Sequence, residues 1–358
     1  MSLRIAVYAI SKNEEKFVER CLRSAKDADL FVLADTGSTD QTVQIARDMG
    51  AQVHTIVVRP WRFDMARNAS LSLVPVDVDV CVCIDIDEIM EPGWREEVEE
   101  KWVLGQTTRM RYLFDWGCGV VFRSDKIHAR EGYLWKQPCH ECLTPYGDTP
   151  ERFVDTEKKL VTHLPDPEKS RGQYLNLLRW GAREDPSNVR NSFYFGRELT
   201  FYKKWPEAEV ELKRYLQLPG SCWSAERSLA MRLIGQARAA QGDLEGALTW
   251  FQKGVQEAPE RREPWVALAQ AYYERKMWNE CFDVSTSALA VTEYRHLWPN
   301  EPAAWGWKPH DLLALAAYYL GRYDVAVQHG ARALEFEPED PRLQMNMQFY
   351  LNAIGKET

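Results

Sequence analysis

The sequence predicts two domains in tandem, an α/β domain with a mixed, mostly parallel sheet followed by an all-α helical array. Two observations carry this. In the first half, short runs rich in β-branched residues alternate with helical patterns of about ten residues, the signature of βαβ units. In the second half the apolar period is helical throughout, and small residues recur in pairs twelve apart: Gly196 with Ala208, Gly235 with Ala247, Ala269 with Cys281, Ala314 with Ala326. The boundaries expected are 1–165 for the α/β domain, 166–190 for a helical linker with a charged, Pro-containing hinge at 166–170, and 191–358 for the array.

Composition agrees with packed domains and excludes several classes. The chain has 358 residues, 45% of them hydrophobic, with fourteen Trp, which suits globular cores and not extended disorder. The net charge of −8 offers no global attraction to nucleic acid or anionic lipid. The apolar run from Leu3 to Ile10 is too short for a secretory signal and is followed by Lys12, Glu14 and Glu15. Eight cysteines lie scattered, apart from Cys139-His-Glu-Cys142. A reducing, cytoplasmic setting with free thiols is expected, and a lone Cys-x-x-Cys leaves a zinc site two ligands short.

Taken in order, Arg4 to Ile10 reads as a first strand, and the segment from Asn13 carries helically spaced apolar residues at 17, 18, 21 and 22. Leu30 to Leu33 is a strand that runs into Asp35-Thr-Gly-Ser-Thr-Asp40. A helix then ends at Gly50 in a C-cap position, and Gln52 to Val58 is a third strand. Val78 to Glu88 is an apolar alternating run that ends in Asp85, Asp87 and Glu88. On a strand, residues two apart share one face, so the carboxylates of Asp85 and Asp87 point the same way, and their repulsion calls for a cation. An all-oxygen shell suits Mg²⁺ or Mn²⁺ holding a diphosphate. A solvated strand end or a helix cap is the bland alternative for the same residues. Gly93 to Trp102 is an acidic helix, Arg109 to Trp116 and Gly119 to Ser124 are antiparallel strands around Gly-Cys-Gly, and Lys159 to His163 is the last strand.

Five motifs occur in one order: Ser11-Lys-Asn-Glu14, Asp35-Thr-Gly-Ser-Thr-Asp40, Asp64-Met-Ala-Arg-Asn68, Asp85-Ile-Asp-Glu88 and His140-Glu141. In that order they resemble the family-2 glycosyltransferases of the A-type, Rossmann-like fold. The whole chain is similar to members with a C-terminal tetratricopeptide array, whose positions 8 and 20 the small-residue pairs match. The successive offsets of 39, 34 and 45 residues require insertions near Leu218–Trp223 and at 296–309.

The resemblance implies a metal-dependent, inverting transfer of a sugar from a nucleotide-diphosphate donor, most simply UDP-linked, to a hydroxyl or thiol. It implies that Ser11, Asn13 and Glu14 line the nucleotide and that Asp35 accepts from the base. Arg67 and Asn68 would face the diphosphate or sugar, and Trp135 would wall the sugar. Asp85 would touch the ribose or the metal, and Asp87 and His163 would bind Mn²⁺ or Mg²⁺. Glu141 would be the base that takes the acceptor proton, with Asp87 and Glu88 as weaker candidates. Each residue has a plainer role open to it: caps for Asn13, Glu14, Ser38 and Asp40, a surface pair of Arg67 with Asp64, a structural hydrogen bond for His163. Trp298, Trp305 and Trp307 in the second insertion are read as a carbohydrate or peptide platform, or as a contact back onto the catalytic domain.

Three functions are weighed. A glycosyltransferase leads, with a peptide or protein acceptor favoured over a glycan, a lipid-linked sugar or a modified DNA base. A non-catalytic repeat scaffold is opposed by the intact motifs. A nucleotidyltransferase is opposed by Ile10-Ser-Lys-Asn-Glu14, which lacks a Gly-rich basic loop.

Overall fold

The computed structural model describes residues 2–166 and 172–355. The expected hinge lies largely at 167–171, outside the described residues. The chain divides into two compact units, residues 1–184 and 185–358.

In the first unit, β1 (Ile5–Ser11), α1 (Val18–Ser24), β2 (Leu30–Asp35), α2 (Thr42–Asp48) and β3 (Gln52–Thr55) follow in the expected order. The helix begins at Val18, not near Asn13, because Asn13 has φ 57° and the chain turns there before the helix can start. Then come α3 (Phe63–Leu73), β4 (Val80–Cys83), β5 (Glu88–Met90), α4 (Trp94–Lys101), β6 (Arg109–Asp115), β7 (Val121–Ala129), β8 (Tyr133–Lys136), β9 (Cys142–Pro145), β10 (Phe153–His163) and α5 (Tyr174–Glu184). The α5 helix belongs to this unit and does not stand between the two.

The main sheet has eight strands in the order β3-β2-β1-β4-β7-β6-β10-β5. Strands β3, β2, β1 and β4 run parallel, and β7 is antiparallel to both β4 and β6. Each strand residue points to the face opposite its neighbour's, and both faces are covered. Ile5, Val7, Val80 and Val82 pack with Cys21, Trp94 and Val98 on one face. Ala6, Tyr8, Cys81 and Cys83 pack with Leu71, Tyr133 and Trp135 on the other. The two-stranded β8–β9 sheet completes that second layer.

The second unit is all helix: α6 (Val189–Phe201), α7 (Trp205–Gln217), α8 (Ser224–Ala240), α9 (Leu244–Glu257), α10 (Arg262–Glu274), α11 (Trp278–Ala290), α12 (Pro302–Trp305), α13 (Trp307–Tyr319), α14 (Tyr323–Phe336) and α15 (Pro341–Ile354). Neighbouring helices pack as the pairs α6/α7, α8/α9, α10/α11 and α13/α14. The small residues sit where each pair closes: Ala208, Ala269, Cys281, Ala314 and Ala326 are wholly buried. A Cβ added at Gly196 would lie 2.7 Å from the Leu212 side chain, and one at Gly235 would lie 3.0 Å from the Phe251 ring.

The three insertion tryptophans correct the sequence reading. Trp305 belongs to α12 and Trp307 opens α13, so only Trp298 is in irregular chain. All three rings fold back onto the array. Trp298 packs on Phe193 and Tyr194, Trp305 donates from Nε1 to Glu263 at 3.2 Å under the Arg262 guanidinium, and Trp307 meets Arg342. Aromatic and cationic neighbours inside the unit supply what a binding platform would otherwise have left exposed.

Candidate active site

The expected site residues collect at the carboxyl edge of the parallel strands, where an open α/β sheet offers a crevice. Asp35 ends β2, Ser11 ends β1 beside it, and Asp85 follows β4 on the other side of β1. The strand pair of Asp85 and Asp87 does not form. The β4 strand stops at Cys83, and residues 84–87 turn into β5, closed by Glu88 N donating to Asp85 O at 2.9 Å. The Glu88 carboxylate in turn accepts from Asp85 N at 2.9 Å. This turn points the two aspartates at different partners.

Asp85 is held by two cations. Arg67 Nη2 lies 2.5 Å from Oδ1, and Lys126 Nζ lies 3.1 Å from Oδ2. Burial alone would raise the Asp85 carboxyl, but Arg67 and Lys126 outweigh it and hold the group well below the usual carboxylate range. Lys126 also reaches Glu88 at 3.2 Å. Glu88 is buried, and burial pushes its carboxyl up, with Lys126 opposing and Asp85 reinforcing. With both oxygens taken by protein cations, Asp85 is not the open metal ligand the sequence suggested.

Asp87 faces the last strand instead. Its Oδ2 is 3.5 Å from His163 Nε2, brought close by the antiparallel pairing of β10 with β5. Burial works to lower the His163 imidazole, and the hydrogen bond and charge of Asp87 outweigh it and raise it. Among the described residues no group of three or more His, Cys, Asp or Glu side chains is arranged to hold a metal ion. The Asp87–His163 pair still fits one. A hard divalent cation needs only one or two protein ligands when diphosphate oxygens and water supply the rest, and an O,N donor set suits Mn²⁺.

Arg67 lies in α3, not in a plain connector, and is buried. It joins Asp85 to Glu141, makes a 3.2 Å contact with Cys83 Sγ and lies 5.3 Å over the Trp135 ring. Burial would lower its guanidinium, and Asp85, Cys83 and Glu141 raise it instead. The surface pair with Asp64 is not made, because Arg62 takes that carboxylate at 2.8 Å. Glu141, the expected base, is nearly buried and its Oε1 is held by Arg67.

Five residues expected at the donor are engaged by protein. Asp35, 3% exposed, accepts from Gly37 N, Ser38 N, Ser38 Oγ and Ser11 Oγ at 2.5–3.2 Å. A carboxylate has about four acceptor sites, so this one organises its loop and has no oxygen left for a base. Asn13 joins the same loop, accepting from Thr39 N at 2.8 Å while its own N–H donates to Ser38 Oγ. Glu14 is buried, its N–H donating to Thr42 Oγ1. Asn68 forms a two-bond clamp with the backbone of Trp135, 2.8 Å each way. Trp135 is itself 3% exposed, with Nε1 donating to Tyr8 Oη at 2.8 Å, so it is core and not a wall of a crevice.

Sequence reasoning missed Lys126 and Trp116. Trp116 packs on His163 at a tilt, with ring centroids 4.4 Å apart. Only one signal pointed to Lys126: adjacent buried acids need a cation. The run Val121-Phe-Arg-Ser-Asp-Lys-Ile-His128 has no clean alternation that would mark its inward face. None of the eight cysteines is in a disulfide, Cys139 and Cys142 included.

An acid-rich turn at the carboxyl edge of a mixed α/β sheet, followed in the chain by helix pairs closed by small residues, defines the class: an α/β domain with a helical repeat array. The family described as Glycosyl transferase family 2 matches residues 7–107. An uncharacterized glycosyltransferase of Rickettsia bellii is 32% identical over 161 residues, covering 44% of this chain and 50% of its own. A TPR repeat-containing protein of Synechococcus elongatus is 25% identical over 312 residues, covering 80% of this chain and 75% of its own. A solved structure of MamA is similar over 47% of this chain and 89% of its own, at 16% identity and a TM-score of 0.38. The chain spans about half the length of the Rickettsia relatives it matches. Within the first unit, residues 7–107 are thus similar to family-2 glycosyltransferases, and the second unit is an array of paired helices. Among the described residues no helix is long and apolar enough to cross a membrane.

Proposed function

We propose that this chain is a metal-dependent, inverting glycosyltransferase that moves a hexose or N-acetylhexosamine from a nucleotide-diphosphate donor, UDP-linked by preference, to a hydroxyl or thiol. The observation that carries the reading is the pairing of Asp87 with His163 beside an Arg67–Asp85–Lys126 charge cluster at the carboxyl edge of the sheet. Bound Mn²⁺ or Mg²⁺, held by Asp87 and His163, would neutralise charge on the departing diphosphate.

The chain's own residues do the rest. The loop tied together by Asp35, Asn13 and Ser38 presents its backbone to the nucleotide, which is how those side chains serve the donor without touching it. Asp85, fixed by Arg67 and Lys126, would accept from a ribose hydroxyl with the lone pairs that remain. Glu141 takes the proton of the attacking acceptor, with Arg67 setting the direction of its carboxylate. A peptide or protein acceptor is favoured because helical repeat arrays commonly hold extended chains. A cytoplasmic setting is part of this reading, in keeping with the scattered spacing of the eight cysteines.

The test is thermal stability with UDP, GDP, CDP and dTDP, each with and without Mn²⁺, on the wild type and on Asp87→Ala. A nucleotide at about 100 times its dissociation constant adds about 2.7 kcal/mol, a rise of roughly 5 °C or more for a unit of this size. One nucleotide should stabilise the wild type only with metal and leave Asp87→Ala unmoved. Equal shifts in the variant would remove the metal assignment, and no shift at all would favour a scaffold.

A further inference from the structure

The β6–β7 hairpin sets an indole against the acidic turn. Trp116 follows β6, and its N–H donates to Val120 O at 2.8 Å across the hairpin. Gly117, Cys118 and Gly119 all have positive φ, so the tip turns within three residues and Trp116 is held at its base. Its ring is tilted 38° against the His163 imidazole at 4.4 Å, and Phe114, itself buried, supports it at 6.0 Å. Yet Trp116 is 49% exposed. Half an indole in water beside the Asp87–His163 pair fills no core, since Phe114 and Phe122 already close the layer beneath it.

We propose that Trp116 is the stacking platform for the hexose ring of the nucleotide-sugar donor. The proposal rests on the transferase reading. A pyranose has one face of C–H groups, and an indole is the side chain best able to cover it without needing a hydrogen bond. The sugar is bonded to the distal phosphate, so it must lie within about one ring's width of the group that Asp87 and His163 address. Trp116 is already at van der Waals distance from His163. Trp135, to which the sequence reading gave this role, has no exposed ring to offer.

A purely structural role is also open to Trp116, because His163 Nδ1 is buried with no hydrogen-bond partner among the described residues and the indole could be what orients the imidazole. Measuring donor and nucleotide separately divides the two. Dissociation constants would be taken by calorimetry in Mn²⁺ for UDP, UDP-glucose, UDP-galactose and UDP-N-acetylglucosamine, on wild type, Trp116→Ala and Trp116→Phe. Stacking predicts that Trp116→Ala leaves UDP affinity unchanged and raises the ratio of UDP-sugar to UDP dissociation constants by about tenfold for the sugar the enzyme prefers, with Phe restoring most of it. Equal weakening of UDP and UDP-sugar would overturn the proposal in favour of the orienting role. An unchanged ratio in a folded variant would overturn it in favour of an acceptor contact. A wild type that binds none of the four would remove the UDP-linked donor from the transferase reading, and this proposal for that donor with it.

Discussion

The carboxyl edge of the first unit and the helix seams of the second are both closely packed, with opposite materials. At the edge, Arg67, Asp85, Lys126, Glu88 and Glu141 meet as charges, and each is stable there because an opposite charge accompanies it. At the seams, Gly196, Ala208, Ala269, Cys281, Ala314 and Ala326 meet with almost no side chain at all. The first arrangement is vulnerable to subtraction and the second to addition. Chemistry needs groups that are costly to bury, whereas a repeat needs only that two backbones come close, and the sites of damage should divide accordingly.

Subtraction at the edge carries the largest expected effect. Arg67→Met keeps much of the volume but leaves Asp85 and Glu141 without their shared guanidinium. Removing one member of a buried ionic cluster costs about 3–5 kcal/mol, because the remaining charge is uncompensated. Urea unfolding should show that loss as a lower midpoint at unchanged slope. Adding Asp85→Asn and Glu141→Gln to Arg67→Met should recover most of it, since the charges that remain, Lys126 and Glu88, pair with each other. If Arg67→Met alone costs less than about 1 kcal/mol, the charges are solvated and the contrast between the two regions is lost.

A second subtraction operates through protons. His128 is fully buried on β7, with Nδ1 on Ala129 O at 2.8 Å and Nε2 on Tyr8 Oη at 2.9 Å, so the neutral ring uses both nitrogens. Burial, with Arg109 and Arg130 near, takes its pKa from 6.5 down to about 3, against one favourable bond to Ala129. The facing groups are Tyr8 and Tyr133, and neither supplies a negative charge at these pH values. The unfolded chain therefore binds a proton below about pH 6.5 that the folded chain refuses. Stability is intact above that pH and falls as the pH drops toward 3, by roughly 2–3 kcal/mol at pH 4.5. His128→Gln, less stable overall, should show a flatter decline between pH 6.5 and 4.5. A parallel decline would place the acid sensitivity elsewhere, with the half-buried His310–His329 pair of the array next to be tested.

What the sequence disclosed follows the same division. The seams were readable residue by residue, because a twelve-residue spacing of small side chains is a property of position alone and survives insertions. The strands and helices around the sheet were readable for the same reason, as period-2 and period-3.6 patterns. The site was readable only as a set of residue types. Asp35, Asn68 and Trp135 were named, yet part or all of what each bonds to is chain brought in from elsewhere: Ser11 for Asp35, β8 for Asn68, Tyr8 for Trp135. Lys126 was invisible because its two partners lie about 40 residues away in sequence. Asp85 and Asp87 misled because alternation assumes the strand continues, and it ends at Cys83.

Addition in the array is the smallest effect and the sharpest check on the comparison. Gly196→Ala brings in one methyl, whose carbon would sit 2.7 Å from the Leu212 Cγ and Cδ2 atoms and 3.3 Å from the Leu212 backbone nitrogen. Leu212 is wholly buried, so its side chain can yield only by displacing neighbours. Overpacking of this kind costs about 1–3 kcal/mol, while replacing a mid-helix glycine by alanine returns roughly 1 kcal/mol through propensity. The net expected is a loss of about 1 kcal/mol in urea unfolding. Gly235→Ala is the internal control: its methyl would meet the edge of the Phe251 ring at 3.0 Å, a milder contact, and the propensity gain should bring it near zero. Gly196→Ala less stable than Gly235→Ala would mean that the seams are limited by space. The reverse order would mean that they tolerate an added methyl by opening, and the twelve-residue spacing would then reflect helix approach angle more than contact distance.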